Sequence, residues 1–247
     1  MELIVETHDS VAVLTLSDPE RRNALTAPLV DAIIETFDRL EAADAIRAVV
    51  ITGAAPAFCS GADTSSLSRL TSSDADATER GSVVNVYEGF LRVLRSSLPT
   101  IAAVNGAAVG AGFNLALACD VRLAAESARF DAKFLRIGLH PGGGHLWLLE
   151  RAVGPQTAAA ITLFGQALNG EDAVARGLAW SCHANDELVS AAIELAQRCG
   201  SVPKALMARS KLSLRAAPWQ PNYEAAIATE FTAQTWSFEQ GWFGQPR

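Results

Sequence analysis

The chain has 247 residues, 49% of them hydrophobic and 19% charged, enough to bury a large core in one domain with a terminal appendage. A formal net charge of -7 excludes general nucleic-acid binding, which needs a basic surface, so any anionic ligand must be met by a local cluster of cations. The apolar runs fall well short of the roughly 20 residues that cross a bilayer, and the first residues lack the basic start of a secretory signal, so a cytoplasmic protein with no membrane partner is expected.

In chain order, Val11–Leu16, Ala48–Thr52, Thr100–Val104 and Asp120–Ala124 are short β-branched runs closed by polar or glycine punctuation, and they read as buried strands. Between the first two, Leu29, Ile33, Phe37 and Leu40 recur at helical spacing behind Thr26 as N-cap and Pro28 in the first turn. Strands alternating with helices predict a layered α/β core. From Thr64 to Thr78 the composition turns to Ser, Thr, Asp and Ala, which fits either a mobile flap or an ordinary solvated loop. Beyond about Pro155 strand signals stop and helical periodicity takes over near 156–164, 171–176, 186–199, 203–216 and 222–238. The division expected is a core over 1–155 and a helical region over 156–247.

Two small-residue turns carry the chemistry. Phe58-Cys59-Ser60-Gly61-Ala62-Asp63 and Asn105-Gly106-Ala107-Ala108-Val109-Gly110-Ala111-Gly112 each follow an apolar strand, and each can bring bare backbone NH groups to a ligand oxygen. The second opens a helix whose first amides are free and whose dipole favours negative charge. Together the NH groups of Ala62 and Ala111 can build an oxyanion hole. No GxGxxG, P-loop, GxSxG or HExxH pattern occurs. The four cysteines lack CxxC spacing and read as reduced thiols rather than metal ligands.

Arg22-Asn23-Ala24-Leu25, Phe58 to Asp63, Asn105 to Leu115, Cys119-Asp120 and Gly138 to Gly144, in this order, make the chain resemble the enoyl-CoA hydratase/isomerase (crotonase) family. The resemblance implies a crotonase-like spiral of ββα units followed by a C-terminal helical region, a homotrimer or hexamer, an acyl-CoA or enoyl-CoA thioester as substrate, and neither metal nor cofactor beyond that coenzyme A. It places coenzyme A along Arg21, Arg22, Ala24, Ser60, Ala62, Asp63, Thr64 and Lys211. The basic run Lys204, Arg209, Lys211 and Arg215 fits either phosphate contact or a solvated helix face.

The family's hydratases use two glutamates, and the matching positions here are Asn114 and Phe134. An amide can hold a water without taking its proton, and a phenyl ring does neither. His140 and His145 flank the glycine-rich turn and are the candidate substitutes, or else the first lines a pocket wall and the second packs at a helix start. Asp131 points inward or pairs with Lys133 or Arg136 at the surface, the latter being the expectation. The sequence therefore supports either a hydratase/isomerase-like lyase of altered or weak activity or a noncatalytic acyl-CoA carrier or sensor.

Overall fold

The computed structural model describes residues 2–62 and 77–244, with 77–85 described by their backbone alone. The ten strands among these residues are β1 (Glu2–His8), β2 (Val11–Ser17), β3 (Ala48–Gly53), β4 (Ala57–Cys59), β5 (Thr100–Val104), β6 (Ala107–Val109), β7 (Val121–Ala125), β8 (Arg129–Asp131), β9 (Leu168–Asn169) and β10 (Ser181–His183). Eight α-helices accompany them, α1 (Ala27–Ala42), α2 (Ala77–Leu94), α3 (Ala111–Ala118), α4 (His145–Leu163), α5 (Gly170–Ala175), α6 (Leu188–Gln197), α7 (Lys204–Ala216) and α8 (Tyr223–Glu239).

A six-stranded sheet runs β1-β2-β3-β5-β7-β10 and a smaller one β4-β6-β8-β9. Long strands in the first sheet alternate along the chain with short strands in the second, and a helix closes each turn at β3-β4-α2, β5-β6-α3 and β7-β8-α4. The result is the expected spiral of ββα units. All pairs from β2 to β10 in the large sheet are parallel, and only the β1–β2 hairpin, turning through Asp9 at φ 54, is antiparallel there. Parallel strands covered on both faces read as continuous apolar runs, which is why β2, β3, β5 and β7 stand out in the sequence.

Alternate side chains enter two cores. Ala12, Leu14, Leu16, Val49, Ile51, Ala102 and Val104 face the main core with Leu29, Ile33 and Phe37 of α1. Val11, Val13, Ala48, Val50, Ile101 and Ala103 face Leu188, Ala192 and Ala196 of α6. Helix α2 is clamped on α1 where Arg92 bridges Asp38 at 2.9 Å and Glu41 at 2.8 Å.

Strands do not stop at residue 155. The antiparallel β8–β9 pair extends the small sheet, β10 pairs β7 in the large one, and α6 covers that sheet's second face. Three-residue strands such as Ser181–His183 are too short to leave a period in the sequence. Helix α4 also begins at His145, ahead of the helical region expected from 156, and breaks at Gly154 (φ 74, ψ 168) beside Pro155. Its Trp147 stacks on Trp219 with centroids 5.5 Å apart and planes 4° from parallel, and Arg151 lies 4.6 Å and 5.1 Å from the two ring centres. Of the 64–78 loop, residues 64–76 lie outside the described residues and 77–78 open α2.

Candidate active site

Parallel pairing of β4 with β6, which sets Cys59 opposite Ala108, brings the two small-residue turns side by side. Gly61 sits at φ 99, and a Cβ there would lie 2.7 Å from the Val109 carbonyl oxygen and 3.3 Å from the Ala111 nitrogen. At Gly112 a Cβ would be 2.1 Å from the Cys59 oxygen. Only glycine lets α3 start this close to the end of β4.

The first turn is fastened from the other side by residues 21–25. Leu25 NH donates to Gly61 O at 2.8 Å, Ser60 NH to Arg22 O at 2.9 Å, and the Ser60 hydroxyl to Arg21 O at 3.0 Å. Fully buried Asn23, at φ 57, donates from Nδ2 to the carbonyls of Ala54 (2.8 Å) and Ala57 (2.7 Å) while its Oδ1 accepts from Asp18 NH at 2.9 Å. Asn23 is therefore a strut that fixes the chain entering β4, and Ala24 is buried beside it. Cys59 lies beneath the turn, and burial pushes its thiol up to about 12, so it stays protonated.

Both turns border a cavity of about 380 Å³. Ala62 and Ala111 line it together with Leu25, Tyr87, Asn114 and Phe134, and Arg21 and Ser60 line it as well. Among the described residues, neither the Ala62 nor the Ala111 amide has a protein acceptor. No carboxylate is among the described residues of the wall.

Asn114 is spoken for. Its Nδ2 donates to Gly142 O at 3.0 Å, which turns Oδ1 toward His145 Nδ1 at 2.7 Å. An amide oxygen only accepts, so Nδ1 of His145 carries the proton and Nε2 is bare. That Nε2 is buried with no partner among the described residues, and burial pulls the imidazole down to about 4. Phe113 and Phe134 meet its ring edge-on at 5.3 Å and 5.0 Å. His145 is thus a neutral packing residue at the start of α4, and it does not line the cavity.

The other expected site residues scatter. His140 is exposed, turned to the Pro141 carbonyl at 2.8 Å, and absent from the wall. Asp131 is buried rather than at the surface, in ion pairs with Arg129 at 3.2 Å and with Arg136. Lys211, expected on phosphate, is 7% exposed, salt-bridged to Asp120 at 2.7 Å and bonded to Leu98 O. Burial lowers its pKa against the pull of Asp120, and a cation so placed is part of the core. Arg22 is exposed outside the wall, whereas Asp63 and Thr64 lie outside the described residues. Tyr87, like Val86, Lys133, Ile137 and Leu139, is a wall residue outside the expected set, although Val86, Phe90 and Val93 repeat at helical spacing around it.

A ββα spiral whose adjoining strand-to-helix turns open on one apolar cleft defines a crotonase-type protein. Residues 6–241 match the family model for enoyl-CoA hydratase/isomerase, and the chain belongs to that family. It is 47% identical over 214 residues, 87% of this chain and 80% of the relative, to a probable enoyl-CoA hydratase, EchA14, of Mycobacterium tuberculosis. A 1,2-epoxyphenylacetyl-CoA isomerase of Escherichia coli is 35% identical over 206 residues, 82% of this chain and 78% of the relative. Among solved structures, an enoyl-CoA hydratase-like protein from Thermobifida fusca in complex with acetoacetyl-CoA superposes with a TM-score of 0.85 at 30% identity, covering 96% of this chain and 95% of that one. Enzymes of this family need no cofactor beyond the coenzyme A of the substrate. No helix among the described residues is long and apolar enough to cross a membrane.

Proposed function

We propose that this protein binds acyl-CoA thioesters with the carbonyl oxygen against the NH groups of Ala62 and Ala111, and acts as a hydratase/isomerase-like enzyme of altered or weak activity. The observation that carries the reading is the pairing of those two amides on adjoining turns of one cavity, both free of protein acceptors among the described residues. Two donors aimed at a developing oxyanion contribute about 3 kcal/mol each to an enolate-like transition state. The apolar wall of Leu25, Val86, Phe134, Ile137 and Leu139 takes the acyl chain, and Arg21 with Ser60 stands at the coenzyme A side. The acetoacetyl-CoA held by the Thermobifida fusca relative supports this class of ligand. The molecule works in the cytoplasm as a trimer or hexamer, assembled through the aromatic tail.

Binding and turnover are separable here. With Asn114 committed to Gly142 and His145, and Phe134 filling the wall, neither position offers the proton carrier that the family's hydratases use. This favours, as the second reading, a noncatalytic acyl-CoA carrier or sensor. Calorimetric titration with butyryl-CoA together with loss of the enoyl absorbance of crotonyl-CoA and longer enoyl-CoAs decides between them. Binding with turnover supports the enzyme, binding with an unchanged spectrum the carrier, and absence of binding removes both.

A further inference from the structure

The cavity wall lacks a carboxylate among the described residues, yet it is not without a proton. Three of its described side chains carry a titratable group, Arg21, Lys133 and Tyr87. A guanidinium does not give up its proton in proteins. Lys133 stands exposed at the head of a short 3-10 turn and also borders a separate surface groove with Thr162 and Phe164. Tyr87 differs from both in where its polar atom sits.

The Tyr87 hydroxyl lies against Gly142, close enough that a Cβ added to that glycine would be 2.3 Å from Oη. Gly142 is the residue whose carbonyl holds the Asn114 amide, and a Cβ on the neighbouring Gly143 would lie 3.1 Å from Asn114 Nδ2. The phenol and the Asn114 amide therefore meet at one small patch of the cavity. The Tyr87 ring packs on buried Phe90 with centroids 5.6 Å apart, one turn along α2, which the Arg92 clamp holds to α1. Among the described residues its hydroxyl has no hydrogen-bond partner. A positioned phenol with an uncommitted O–H, beside the wall where a carboxylate is missing, is a group able to hand over a proton.

We propose that Tyr87 is the catalytic acid of this cleft, giving its proton to the acyl α-carbon; this rests on the thioester-binding reading above. In hydration, the oxygen of water bonds to Cβ, the π pair of the Cα–Cβ double bond becomes the Cα–C1 π bond, and the carbonyl π pair moves onto the thioester oxygen, where the two amides hold the enolate. The enolate then forms its Cα–H bond with the Tyr87 proton. The phenolate recovers a proton from the added water, so one water is gained, the tyrosine is restored and nothing is oxidised or reduced.

By microscopic reversibility the same residue removes the α-proton, so exchange into heavy water reads it directly. Wild-type protein incubated with butyryl-CoA in D2O is expected to place deuterium at Cα by mass spectrometry. Tyr87→Phe, which keeps the ring on Phe90, is expected to bind butyryl-CoA within about two-fold of wild type and to exchange about 100-fold more slowly, as loss of one acid/base group predicts. The chain has two tyrosines, and the second, Tyr223, is exposed on the tail. Global replacement by 3-fluorotyrosine, a more acidic phenol, is therefore expected to move the pH–rate profile of exchange to lower pH, which a packing role would not do. Equal exchange by Tyr87→Phe, superposable profiles, or wild type that binds without exchange each overturn the proposal while leaving thioester binding intact. Failure to bind butyryl-CoA at all overturns the binding reading with it.

Discussion

At the scale of single residues, the two amides and His145 do opposite things with their surroundings. Ala111 is the first residue of α3, a position where proline is tolerated because that NH has no intrahelical partner. Ala111→Pro is expected to leave the melting temperature within a few degrees while lowering any enoyl-CoA turnover by about 10² to 10³, the measured worth of one oxyanion donor; an unchanged rate removes Ala111 from the hole. His145 carries a pH dependence of stability. Its imidazole drops from 6.5 to about 4 on burial, so between those values the unfolded chain binds more protons than the folded one. Stability is full above pH 6.5 and falls as pH drops toward 4, by about 3 kcal/mol in all. Urea midpoints at pH 7 and pH 4.5 check this, and His145→Leu is expected to flatten the slope. The amides were legible in the sequence because small residues after strands signal backbone use. The burial of His145 was not, since exposure is decided by Phe113 and Phe134, which arrive from α3 and the 3-10 turn at 134–137.

Among elements, the close approach of β4 and α3 decides whether the cleft exists. A methyl at Gly112 would meet the Cys59 carbonyl at 2.1 Å, and backbone cannot swing aside as a side chain can. Gly112→Ala is expected to cost about 3 kcal/mol, the upper range for overpacking, read as a lower denaturation midpoint together with weakened acyl-CoA binding. β-branched runs exposed β2, β3, β5 and β7 to sequence reading, and the apolar stripe of α1 exposed that helix. Strands β4, β6 and β8 have three residues each, fewer than two full alternations, so the second sheet was silent although it carries both turns. The start of helix α2 abuts a stretch of Ser, Thr and Asp, and that polar run masks the helical period carrying Tyr87.

For the molecule as a whole, apolar surface is left uncovered in two places, a group from Leu135 to Phe164 and the last third of the chain. Leu212, Leu214, Trp219, Phe231 and Phe238 are 55–74% exposed, and α8 has no buried residue. Surfaces of this kind mark interaction sites, and the trimer or hexamer proposed above would cover this one. Sedimentation is expected to give three or six times the 26.1 kDa of one chain, and Phe231→Asp to shift the population toward monomer; a wild-type monomer would refute the assembly. The spiral itself was readable from the order of five short motifs. The return of residues 168–197 to both sheets was not, because β9 and β10 together offer five residues of strand.

The Trp147–Trp219 stack ties α4, which follows the glycine-rich turn at Gly142, to that tail. Trp147 sits two residues after His145 on α4, whereas Trp219 closes the link between α7 and α8. Two indoles held face to face couple their excited states, and the Arg151 cation across both perturbs their emission. The molecule consequently carries a built-in optical gauge: the near-ultraviolet dichroism that Trp147→Phe removes, set apart in this way from the Trp236–Trp242 pair, reports without any attached dye whether the C-terminal helices stay seated as thioester enters or subunits separate.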